Sequence, residues 1–337
     1  MKYLTINSPG VKEYDYVDLA GDDIKVEYAL PPYHVVTFKP GTNVRLAKRA
    51  EQFYSIIADG KELITKDSKG TLIVPELNDG NVKMAFKPDV TVFFDTFFGC
   101  TSLTSIPEDL FANNPNVVSF GYTLAELWSD LWRFENDPDF NGNTSWDFGF
   151  PVLFGECGSL TAIPEKLFAN NTEVRHFGMV FASCTGITSI PEKLFANNTK
   201  VRYFGRMPEN PSDFGYALAL LSVFFGCGGI TSIPEKLFAN NPNVTDFAFV
   251  FSGCASLQSI PAGLFDNNRK ATVFESTFGV CESLTGESPY TMIGDKKVHL
   301  YERSNYPDQF ATPIMYSKCF YSCTGLSDYA QIPSGWK

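Results

Sequence analysis

The decapeptide SIPEKLFANN fills residues 189–198 and returns unchanged at 232–241, and AIPEKLFANN fills 162–171. A phrase repeated so closely says that one packing problem is being solved several times. Its residues read as local grammar. Pro107, Pro164, Pro191 and Pro234 suit the first turn of a short helix, where a missing N–H is not felt. Glu108, Glu165, Glu192 and Glu235 favour a helix N-terminus. Leu-Phe supplies a buried pair, and Asn-Asn tolerates the left-handed geometry that ends a helix. Identical carboxylates one coil apart have no partner base or nucleophile, so the phrase carries shape and not catalysis.

Cysteines set the register around it. Cys157 to Cys184, Cys227 to Cys254 and Cys254 to Cys281 are each 27 residues apart, a period expected of stacked repeats. Ten, seven and three residues before Cys254 stand Val244, Phe247 and Phe251; before Cys184 stand Val174, Phe177 and Phe181; before Cys281 stand Ala271, Phe274 and Phe278. Such steps predict one apolar face of a helical segment. Leu or Ile at +3 and Ile at +6 follow five of the cysteines, Cys100, Cys157, Cys184, Cys227 and Cys254, as in Leu160 and Ile163 or Ile230 and Ile233. The LTSI or ITSI between them predicts a brief strand. One Cys per coil at one register, with apolar neighbours, predicts a column of buried free thiols; a bridge or a metal ligand is the other reading. Cys319 and Cys323, at i and i+4, lack the two further ligands a zinc site needs.

These units, as in NVTDFAFVFSGCASLQSIPAGLFDNN at 243–268, resemble the BspA-type leucine-rich repeats of bacterial surface proteins. They are also similar to surface repeats with a NVTxMxxMFxGCxxL pattern, with Phe here in place of Met. The resemblance covers roughly residues 88–337. It implies a leucine-rich-repeat solenoid and a secreted or cell-surface protein of adhesin-like character.

Composition narrows the rest. The chain has 337 residues, 31 of them Phe, and a net charge of −11. It therefore buries a substantial interior, and without a Lys/Arg run a nucleic-acid backbone or anionic membrane is an unsuited partner. No apolar stretch is long enough for a transmembrane helix. The opening MKYLTINSPGVKEYDY lacks the apolar core of a signal peptide, which leaves either an intracellular protein or a mature portion.

Residues 1–87 read as short strand-like runs broken by Gly, Pro, Asn and Asp, with Asp59-Gly60 in ADGKEL placed as a hairpin turn. This predicts a small β-sandwich, similar to the immunoglobulin-like modules that precede such arrays, with a boundary near Lys87, that caps the array or spaces it. At the far end, Tyr316 and Phe320 restore the −7 and −3 positions before Cys323, so the tail reads as a degenerate closing coil.

Two insertions interrupt the period, at about 121–149 and 205–219, each just after the −7 Phe (Phe120, Phe204). Both should leave the same edge and wall in residues 176–179, and insertions on one face of a repeat array often carry binding. The candidate ligand contacts are Trp128, Trp132, Trp146, Phe148, His176 and Tyr216, aromatic platforms for sugar rings or protein hot spots. The competing reading packs Leu124, Leu127, Leu131 and the Trps as one face of an extra helix. In DPDFNG, Asp137, Asp139 and Asn141 match the alternating oxygens of a Ca²⁺ loop, but Phe148 stands where a bidentate Glu belongs, and a solvated acidic turn competes. No other cofactor is expected. None of His34, His176 and His299 sits in a nucleophile, metal or phosphate motif. The expectation is a non-enzymatic, extracellular binding or adhesion protein for a protein or glycan ligand. The alternative is a glycan-capturing or glycan-processing component of a polysaccharide-uptake system.

Overall fold

The computed structural model describes residues 31–65, 68–93, 95–120, 153–205 and 222–337, and before them the backbone of three strands. It is a β-rich fold with few helices, all short 3₁₀ turns among the described residues. None of the described helices is long and apolar enough to cross a membrane.

Strands β1 (Tyr3–Leu4), β2 (Val11–Leu19) and β3 (Asp22–Ala29) form one sheet in the order β1-β3-β2. The next run supplies β4 (His34–Phe38), β5 (Gly41–Ala47), β6 (Phe53–Ala58), β7 (Lys61–Glu62), β8 (Leu72–Leu77) and β9 (Asn81–Phe86). β5 pairs with β8, while β4, β9, β6 and β7 belong to a five-stranded sheet. Asp59 and Gly60 both have positive φ and join β6 to β7, the geometry a two-residue hairpin needs. The fifth strand of that sheet is β10 (Leu103–Ser105), the first LTS segment, paired antiparallel to β4. Hydrogen bonding and apolar packing thus run across position 87 without a break. Phe86 stacks on Phe111 at 5.7 Å, and one hydrophobic cluster extends from Val36 to Trp336.

Beyond β10 the chain repeats. Val92, Ser119, His176, Tyr203, Asp246, Val273 and Met315 form successive single-residue parallel bridges, each to the next. This ladder runs eight residues before the Cys, not in the ITSI segments where the Thr/Ser content placed a strand. Apart from β10 those segments hold single cross-repeat bonds, such as Thr231 N to Thr188 O at 3.2 Å and Gln258 N to Thr231 O at 3.1 Å.

The interior is three columns of Phe rings. Phe93, Phe120, Phe177, Phe204, Phe247 and Phe274 stack at 5.7–6.0 Å. Phe97, Phe154, Phe181, Phe224, Phe251, Phe278 and Phe320 stack at 5.3–5.9 Å. The Phe of the repeated phrase makes the third column, Phe111, Phe168, Phe195, Phe238 and Phe265. Offset-stacked pairs at such spacing contribute about 0.5–1.5 kcal/mol each beyond area burial. At the last coil Trp336 closes the array, stacking on Tyr316 at 4.6 Å and meeting Phe274 and Phe320 at 6.4 Å.

The short helices expected in each repeat are runs of turns. In one copy Leu194, Ala196 and Asn198 donate to Pro191, Lys193 and Phe195, three residues back each time. That tighter winding puts Phe195 and Asn198 on the same side, where both are buried. The second Asn of each pair is therefore not a left-handed cap; the left-handed residues of the array lie five and one before the Cys, at Asp95, Met179, Phe249, Ser276 and Lys318, and at Glu156, Ser183, Val280 and Ser322. Instead the buried amides form a ladder. Asn171 Nδ2 donates to Phe111 O and Asn114 O, Asn198 to Phe168 O and Asn171 O, Asn241 to Phe195 O and Asn198 O, and Asn268 to Phe238 O and Asn241 O.

All eight cysteines are free and buried. Each thiol from Cys157 to Cys281, and Cys323 as well, donates to the carbonyl of the −3 Phe in the preceding coil, as Cys184 does to Phe154 at 2.8 Å. Desolvation raises the pKa of Cys157, Cys227 and Cys254 well above that of a free thiol and pushes Cys323 up to about 12.

Candidate ligand-binding face

The bridge ladder places one side chain per coil on a single face. His176 lies there, 8% exposed, edge-on to Tyr203 with centroids 6.1 Å apart. Burial pulls its pKa down to about 4, and among the described residues neither ring nitrogen has a hydrogen-bond partner. A neutral, buried ring of this kind is a rung of the ladder and offers little surface to a ligand. Of the other predicted contacts, Trp128, Trp132, Trp146, Phe148 and Tyr216 lie outside the described residues, as do Asp137, Asp139 and Asn141 and the bulk of both insertions.

Beside His176 opens a groove of about 420 Å³, lined by Arg175, Lys200, Arg202, Tyr203, Asn243, Thr245 and Lys270. Repeat geometry builds it. With the second insertion set aside, Glu173, Lys200, Asn243 and Lys270 share one register, and Arg175, Arg202 and Thr245 share another two residues on. Backbone bonds fix the rungs: Arg202 N donates to Arg175 O at 2.9 Å and Thr245 N to Arg202 O at 2.9 Å. Lys200 pairs with Glu173 at 2.5 Å, and Lys270 donates to Asn243 Oδ1 at 2.8 Å. Among the described residues the lining holds four cations and no carboxylate, in a protein of net charge −11. Sequence reading missed these residues because no two of the four are adjacent; only stacking the repeats in register brings them together.

A second polar cluster sits near the C-terminal end, on the hairpin of β11 (Tyr290–Ile293) and β12 (Lys296–His299). His299 faces Glu287 at 3.0 Å, Glu302 at 3.3 Å and Asp328 at 3.6 Å, and its ring stacks on Tyr301 at 5.1 Å. Ser288 is fully buried and gives its hydroxyl proton to Asp328, not to an imidazole. A serine so held is no activated nucleophile. The cluster tethers the hairpin to the final coil. Among the described residues no group of three or more His, Cys, Asp or Glu is set to hold a metal ion.

No protein-family model matches the chain, and no curated protein matches it.

Proposed function

We propose that this chain is a non-catalytic binding or adhesion protein of the cell surface that recognises a protein or glycan on a repeat scaffold. In this reading residues 88–337 are a leucine-rich-repeat solenoid of the BspA-like kind, and residues 1–87 an immunoglobulin-like β-rich unit preceding it. The parallel bridge ladder with its three Phe columns supports the solenoid. Stacked coils hold surface side chains at fixed spacing, which suits multivalent contact with an extended ligand.

The basic groove carries the binding reading. It is an open, preorganised concavity on the scaffold, lined by hydrogen-bond donors and an aromatic ring, with no histidine, cysteine or carboxylate among the described residues of its lining. The test immobilises the whole chain and presents extracellular-matrix proteins and purified polysaccharides, while the solution phase is assayed for products. Saturable binding of intact ligand supports the proposal. Cleavage of a polysaccharide would move the chain to the glycan-processing alternative.

A further inference from the structure

The groove also narrows what is bound. We propose that the groove formed by Arg175, Lys200, Arg202, Tyr203, Asn243, Thr245 and Lys270 binds an acidic polysaccharide; this rests on the binding function proposed above.

Arg175 and Arg202 stand on neighbouring rungs of the parallel ladder, ~4.8 Å apart by strand spacing. Like charges set side by side on paired strands destabilise them. The same register holds Thr245 and Thr272 in the next two coils, so the fold has no need of arginine there. Neither guanidinium has a carboxylate partner among the described residues, and both are exposed. An anion between them offsets the repulsion, and each planar fork suits a carboxylate or sulfate held by two parallel bonds.

The remaining lining selects the polymer. Tyr203 is half-buried and shows part of its ring to the groove, while the Asn243 amide and Thr245 hydroxyl suit sugar hydroxyls. The rung spacing is close to the length of one sugar residue, so cations on successive coils follow an extended chain. Nucleic acid fits poorly, because its phosphates come every ~1.7 Å of duplex and the net charge of −11 repels so dense a polyanion. A polysaccharide with one acidic group per one or two sugars meets the local cations without that repulsion.

The test is calorimetric titration of the whole chain with hyaluronan, which carries carboxylates, and chondroitin sulfate, which adds sulfates. Dextran, poly-glutamate and single-stranded DNA serve as comparisons. The Arg175→Ser/Arg202→Ser double variant and a control, Lys236→Ser, outside the groove, are titrated alongside. Unfolding midpoints check that all three fold. The expected result is binding of one or both acidic glycans, weakened at least tenfold in the double variant and unchanged in Lys236→Ser. Preference for the sulfated or carboxylated polymer identifies the anionic group. Equal affinity for dextran, tighter binding of poly-glutamate or DNA, or an unaffected double variant would overturn the inference while leaving a binding function in place. Failure to bind these polymers, together with failure of the wider protein and glycan panel, would overturn both.

Discussion

Arg303 donates from one guanidinium nitrogen to the carbonyl of Asn268 at 3.2 Å and from the other to Phe265 O at 2.8 Å. These are the acceptors that the next asparagine takes in each earlier coil, as Asn268 takes Phe238 O and Asn241 O. Arg303, on the 3₁₀ turn Leu300–Asn305 after β12, therefore ends the amide ladder where the regular repeat ends. It is 2% exposed, its ring neighbour Phe310 lies 4.4 Å below the guanidinium, and desolvation lowers its pKa to about 10, still charged at neutral pH.

Arg303→Ala should leave two buried carbonyls without donors and cost about 3–5 kcal/mol of stability. Arg303→Lys should recover only part, since an ammonium on a flexible stem does not span both acceptors as a fork does. Urea unfolding of the three proteins measures this; equal stability of the Ala variant would show the ladder needs no cap.

Within the ladder, Asn241→Ala removes the donor to Phe195 O and Asn198 O, both in the interior. The expected loss is about 2–4 kcal/mol. Asn267, whose exposed amide reaches Ala239 O at 2.9 Å, is the internal comparison. Asn267→Ala should cost under about 1 kcal/mol. Similar losses at the two sites would mean that the buried ladder contributes no more than a surface turn.

His176 makes stability depend on pH. Its folded pKa of about 4 lies below the 6.5 of an unperturbed histidine, so the unfolded chain takes up the proton first. The full stability is present above pH 6.5 and falls as pH drops toward 4. At pH 5 the loss from this one group is about 2 kcal/mol. Carboxylates titrate in the same range, so the readout is the difference between wild type and His176→Phe from pH 7 to pH 5. A variant with the same pH profile as wild type would place the imidazole in contact with solvent.

The cysteine column should be silent to reagents. With all eight thiols buried and free, a thiol-specific chromogenic reagent should find none in the native protein at pH 8 and eight in denaturant. Rapid labelling of any thiol before unfolding would contradict the burial.

The sequence showed the inward-facing residues clearly, because burial of Val, Phe, Cys, Leu and Ile leaves a periodic trace. It misled where one residue type serves two ends. Asn-Asn after Leu-Phe reads as a helix terminus, yet Asn198 and Asn241 are buried donors whose acceptors lie 27 to 46 residues back. Arg303 was illegible for a related reason: it fills an asparagine's place from a different element, 35 residues beyond Asn268. The groove was hidden because its cations come from three coils, Arg175 from one, Lys200 and Arg202 from the next and Lys270 from a third, and charge read along the chain shows only acidity.

Whether the scaffold binds without catalysing is decided by one titration. The whole chain is titrated with hyaluronan and chondroitin sulfate by calorimetry, and the size of each polymer is measured before and after. Saturable heat with polymer length unchanged is the predicted result. Shortened polymer would make the chain an enzyme and overturn a purely binding role.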